Sequence, residues 1–67
     1  MQIERYKSNP WASKYPMFHC RTWDSYQEAC QWMAKNQVEK FLWSSGSHGY
    51  IFDVRGGNAD WFLLRFG

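Results

Sequence analysis

Branched aliphatic residues are scarce in this chain: Val, Ile and Leu together number seven among 67 residues. A core built mainly from them is thereby excluded. Two cysteines, Cys20 and Cys30, are too few for a disulfide framework and too far apart for a close-spaced metal pair. Free thiols in a reducing compartment are the expectation. No apolar stretch approaches the ~20 residues that span a bilayer, and Met1-Gln2-Ile3-Glu4 lacks the pattern of a signal peptide. The expectation is a soluble protein of the cytoplasm. Runs of like charge are missing too. Eight Lys and Arg stand against six Asp and Glu, for a net charge of +2. Their scatter argues against a strong stripe that tracks phosphates.

What is present is aromatic: five Trp, five Phe and four Tyr. Aromatic side chains bury large areas with few rotors and so suit a small core. At 67 residues the chain is one domain, residues 1–67, close to the lower limit for independent folding. One helix would not shelter fourteen rings, so some are expected to meet something else.

Residues 2–7 alternate loosely and read as an edge strand whose charges discourage further pairing. Residues 8–16, bracketed by Asn9-Pro10 and Tyr15-Pro16, read as a loop. Trp11 in that loop is either a lid on the core or an exposed anchor. Residues 17–22 (M-F-H-C-R-T) read as a second strand. A helix is expected over residues 25–36, opened by a capping box of Asp24 with Gln27 or Ser25 with Glu28. Its apolar stripe is Tyr26, Ala29, Cys30 and Met33, with Trp32 at the flank.

Residues 38–65 carry two hairpin signals, Gly46-Ser47 and Gly57-Asn58. The first predicts Trp43 opposite Tyr50, Phe41 opposite Phe52, Leu42 opposite Ile51 and Lys40 opposite Asp53. The second predicts Arg55 opposite Asp60 and Val54 opposite Trp61, with complementary charges supporting both registers. Alternation then gives a core face of Phe41, Trp43, Tyr50, Phe52, Val54, Trp61 and Leu63. The other face carries Val38, Leu42, Ile51, Phe62, Leu64 and Phe66 among Lys40, Asp53, Arg55 and Asp60, a mixture suited to recognition. The expected fold is therefore α+β: a small antiparallel sheet of four or five strands with one helix on one face, in the order β-β-α-β-β-β.

No catalytic pattern stands out. His19 and Cys20 are adjacent in a strand and point to opposite faces, and Cys30 belongs to the core stripe. A zinc site from His19, Cys20, Cys30 and His48 lacks paired close spacing. The carboxylates serve the helix start or cross-strand pairs, and Gly46, Gly49, Gly56 and Gly57 belong to turns rather than to a phosphate cradle. Arg55-Gly56-Gly57 reads as a turn rather than an RNA-binding box. No enzyme, cofactor or metal is expected.

The expected function is binding of another protein through the uncovered sheet face. Leu42, Ile51, Phe62, Leu64 and Phe66 would supply apolar contact, Lys40 and Arg55 orientation at the rim, and Trp11 a loop anchor. A second copy of the chain could occupy the same face. The alternative is a module for single-stranded RNA or DNA, with Phe62 and Phe66 stacking on bases beside Lys40, Arg55 and Arg65.

The plan of a strand, a short capped helix opening T-W-D-S-Y-Q-E-A and then hairpins resembles that of small phage-encoded inhibitors of host enzymes or defence complexes. That resemblance spans most of the chain and rests on organisation. It implies a stoichiometric inhibitor of a host protein acting in the bacterial cytoplasm, and it transfers no functional residue. The slight positive charge departs from the acidic nucleic-acid mimics among such proteins.

Overall fold

A computed structural model describes residues 3–8 and 10–66. Gln2, at the start of the expected edge strand, and Asn9 of the Asn9-Pro10 signal lie outside the described residues. The elements are β1 (Ile3–Arg5), β2 (Met17–Cys20), α1 (Trp23–Lys35), β3 (Glu39–Gly46), β4 (Gly49–Arg55) and α2 (Ala59–Phe66). The strands form one sheet in the order β1-β2-β4-β3, antiparallel at every step. The class is α+β, as expected. The expected fifth strand is a helix.

Helix α1 begins where Thr22, in extended backbone, accepts a hydrogen bond from the Ser25 amide on its hydroxyl at 3.1 Å. The cap thus lies two or three residues before the Asp24 and Ser25 boxes. Asp24 in the first turn and Lys35 in the last complement the helix dipole. Termination is a Schellman turn. Gln37 takes a left-handed φ of 59°, and the Val38 amide reaches back to the Met33 carbonyl at 2.8 Å. Tyr26, Ala29 and Met33 are buried, as the stripe predicted.

Helix α2 overturns the second hairpin. Ala59, Phe62 and Phe66 recur at helical spacing, and Phe62 is fully buried. Its ring meets Phe18 edge-on at 4.7 Å, Trp32 at 5.7 Å and Phe66 at 4.6 Å. Asn58, just ahead of α2, donates its side-chain amide to the Asn36 carbonyl at 2.7 Å, tying the start of one helix to the end of the other. Gly57-Asn58 is therefore a link between strand and helix. Arg55 does not face Asp60, nor Val54 Trp61.

The first hairpin forms with its loop moved by one residue. Gly46 pairs with Gly49, so Ser47-His48 is the loop rather than Gly46-Ser47. Gly49 has φ 108° and a side chain there would strike the Cys20 carbonyl, so only glycine fits. A β-bulge between Leu42 and Ser44 then absorbs Trp43. The result is Leu42 opposite Phe52, Phe41 opposite Asp53, Lys40 opposite Val54 and Glu39 opposite Arg55. Each side chain of early β3 thus lies on the face opposite to the one expected.

Both faces are covered. On one, α1 and α2 pack over Phe18, Cys20, Phe52 and Val54. On the other, Met17, Ile51 and Asp53 are buried although no helix lies there. Residues 6–8 and 10–16 supply that cover. Trp11 stacks on Trp43 with centroids 5.8 Å apart, Tyr6 leans on Trp11 at 6.3 Å, and the Ser13 hydroxyl donates to Asp53 at 2.8 Å. The domain has three layers: helices, sheet and an ordered loop.

Candidate interaction surface

The loop-side layer is organised around Asp53, which is fully buried. Its carboxylate accepts the Trp43 indole N–H at 2.7 Å, the Ser13 hydroxyl at 2.8 Å and the Arg55 guanidinium through Nε at 3.1 Å and Nη2 at 2.8 Å. The bulge is what turns Trp43 toward this carboxylate. Burial pushes the Asp53 pKa up. The hydrogen bonds from Arg55, Trp43 and Ser13, with the charge of Arg55, outweigh it and hold the group below its ordinary value. Arg55 in turn lies over the Tyr15 ring at 4.3 Å and near the Phe41 ring at 5.6 Å.

Of the residues expected to form a partner face, Phe62 and Ile51 are corrected outright. Phe62 is 0% exposed because α2 turns it into the core, and Ile51 is 5% exposed beneath residues 6–8 and 10–16. Phe66 is half-buried against Phe62 and Trp32. Arg55 is committed to Asp53, and Trp11 is half-buried on Trp43 as a lid over the sheet. Leu42, Lys40 and Leu64 are exposed, Leu64 at 85%. The eight do not form one face. Lys40 and Leu42 lie on the helix side of β3, Arg55 and Ile51 on the loop side, and Phe62, Leu64 and Phe66 on α2.

The open part of the sheet is instead its border. β3 is an edge strand of eight residues, all exposed or half-buried, and the opposite edge, β1, has three. An edge strand offers a row of unpaired backbone donors and acceptors. Phe41 on the loop side and Leu42 on the helix side are 49% and 40% exposed. Trp23 and Trp61 also stand exposed elsewhere on the surface. The sequence does mark β3, since E-K-F-L-W-S-S-G sets apolar residues at consecutive positions and cannot bury one face only.

A polar cluster lies at the hairpin end. His19 Nδ1 is 3.3 Å from the Glu4 carboxylate and His19 Nε2 is 2.6 Å from the His48 carbonyl. Glu4 is held below its usual pKa by the His19 hydrogen bond first and by the Arg21 charge second. Ser44 Oγ and His48 Nε2 are 3.0 Å apart, but no carboxylate among the described residues orients His48. Cys20 is buried, and burial first and Cys30 second push its thiol up to about 12. Among the described residues there is no group of three or more His, Cys, Asp or Glu that could hold a metal ion, and no helix long and apolar enough to cross a membrane.

No protein-family model matches the chain, and no curated protein or solved structure matches it either.

Proposed function

We propose that this domain is a non-enzymatic protein-binding module that receives an extended segment of its partner along the β3 edge. The observation that carries this reading is the openness of β3, six of whose eight residues are exposed and none buried, with Phe41 and Leu42 flanking an unpaired backbone row. Eight strand residues span ~26 Å at about 3.3 Å each, room for main-chain hydrogen bonds to supply affinity and side chains on both faces to supply selectivity. The likeness to small phage-encoded inhibitors supports a stoichiometric binder of a host protein in the bacterial cytoplasm. It weighs less than the edge, since one of the two hairpins behind it is a helix.

The test is hydrogen exchange on the chain with a protein recovered from nuclease-treated bacterial lysate, beside a Leu42→Lys variant. Protection confined to residues 39–45, and binding weakened about tenfold, equal to about 1.4 kcal/mol, are expected. Undiminished binding with unprotected β3 amides refutes the edge as the site. Sedimentation over a concentration series identifies the case in which a second copy is the occupant.

A further inference from the structure

We infer that His19 is a proton-operated clasp: as an imidazolium it ties the edge strand β1 to the Ser47-His48 turn, and as a neutral imidazole it lets β1 go. This inference does not rest on the β3 reading. His19 lies in β2 directly opposite Glu4 of β1 and, on its other side, opposite Ile51 of β4. Its side chain is 18% exposed, and both ring nitrogens are engaged. Nδ1 is 3.3 Å from a Glu4 carboxylate oxygen, and Nε2 is 2.6 Å from the His48 carbonyl. The second approach is built into the backbone. Gly49, next to that carbonyl, passes so near the ring that a Cβ there would stand 3.0 Å from Nε2.

The chemistry of the two partners decides the charge of the ring. An ionised carboxylate and a backbone carbonyl can only accept, so a ring that satisfies both must donate from both nitrogens. Only the imidazolium has two N–H groups. A neutral ring has one, and its bare nitrogen would turn a lone pair toward an oxygen. The remaining N–H stays with the shorter bond, to the His48 carbonyl, because Glu4 keeps Arg21 as a partner at 3.5 Å. Around the ring, the β1 side contributes Glu4 and the Tyr6 ring at 6.3 Å, and the end of β2 contributes Arg21. The turn contributes His48, whose own imidazole meets Ser44 Oγ at 3.0 Å, and β4 only the uncharged Ile51. β1 has three residues and a single neighbour, so it feels the loss of one cross-strand tie. The clasp therefore holds where the ring is charged and fails as pH rises through the imidazole range, between about pH 5 and 8. With β1 released, the outer backbone row of β2 is bared to strand addition.

The experiment follows the whole chain by NMR at about pH 5 and about pH 8. It reads the ring nitrogen shifts of His19 and amide protection factors, which are corrected for the intrinsic pH dependence of exchange. At the lower pH both His19 nitrogens should carry protons. The amides bonded between β1 and β2 should then be about twofold to fivefold better protected than at the higher pH, the range of a partly exposed ion pair. Glu4→Gln, whose amide can accept from one form of the ring and donate to the other, should abolish the difference, as should His19→Gln. His48→Ala keeps the carbonyl that His19 uses and should leave the difference intact. Each variant is checked for a native amide spectrum. Equal protection of β1 at both pH values in the unaltered chain overturns the assignment. So does a difference that survives Glu4→Gln or vanishes in His48→Ala.

Discussion

Removing the Asp53 carboxylate should detach the loop layer from the sheet. In Asp53→Ala the Trp43 indole N–H, the Ser13 hydroxyl and the Arg55 guanidinium lose the acceptor they share, while Arg55 keeps a side chain 31% open to water. Breaking a buried pair from one side costs about 3–5 kcal/mol, and the partial hydration of Arg55 favours the lower end. Asp53→Asn retains the volume and one acceptor but loses the charge opposite Arg55. Its expected cost is about 2 kcal/mol, the scale of hydrogen bonds to charged groups. Across 67 residues a total stability of about 3–10 kcal/mol is typical, so the alanine variant stands near the unfolding threshold.

Urea unfolding followed by tryptophan fluorescence measures the loss. Near-ultraviolet circular dichroism reports separately on the Trp11–Trp43 stack, which should weaken in both variants before the helices melt. Protonation supplies a second route to the same state. Because the folded pKa of Asp53 lies below its unfolded value, the stabilisation is present above the ordinary carboxylate range near pH 4 and disappears as pH falls through the lower folded value. Acid unfolding should accordingly be shallower in Asp53→Asn. Losses under about 0.5 kcal/mol in both variants, with an unchanged stack, would refute the view that this carboxylate holds residues 10–16 in place.

Gly49→Ala should destabilise severely, by about 2 kcal/mol or more, since a side chain meets the Cys20 carbonyl at a φ that disfavours it. Gly57→Ala, with open space around it, should change stability little, and paired thermal melts compare them. Gln37→Gly should stabilise by up to about 1 kcal/mol, because the left-handed residue that ends α1 now carries a side chain, and its urea midpoint should rise. Phe62→Ala should cost about 3–5 kcal/mol and Leu64→Lys almost nothing, whereas a strand would bury neither preferentially over the other; denaturant midpoints decide it. Cys20 should resist alkylation until the domain unfolds, while half-buried Cys30 reacts first. Above pH ~8.5 the unfolded thiol ionises but the folded one does not, so stability should fall there, and less so in Cys20→Ala.

Helix α1, strand β2 and the α+β class were legible in the sequence because each rests on local chemistry: a cap near residues 22–25, an apolar stripe at helical spacing, and prolines bounding a loop. The segment A-D-W-F-L-L-R-F was not. A run of eight residues with six apolar positions satisfies both periods, and what selects the helix is tertiary, the pocket formed by Phe18, Phe52 and Trp32 around Phe62. The faces of β3 were misread for a different reason. A loop shifted by one residue and a bulge at Trp43 are each invisible to alternation, and together they leave residues 39–42 one step out of register, which exchanges every side chain between the two faces. Of the candidate site, Leu42, Lys40 and Leu64 were legible as exposed; Phe62 was assigned to the surface through the misread helix, and Ile51 because the loop layer that covers its face has no signature in strand alternation.

The surplus of aromatic rings has a solution that a two-layer picture omits. Residues 6–16 contribute Tyr6, Trp11 and Tyr15 to the side of the sheet that the helices do not reach, and one carboxylate fastened by the bulge indole and Arg55 anchors them there. With both faces closed in this way, neither can serve a partner without the loop or a helix being displaced. The sheet can then be approached only from its border, and β3 is the longer of its two borders. Its bulge and Lys40 oppose indiscriminate strand pairing. Strand alternation leaves Phe41 and Leu42 on opposite sides of β3, so a segment lying along it would be gripped from above and below, and one without apolar side chains on both of its own faces would be poorly held.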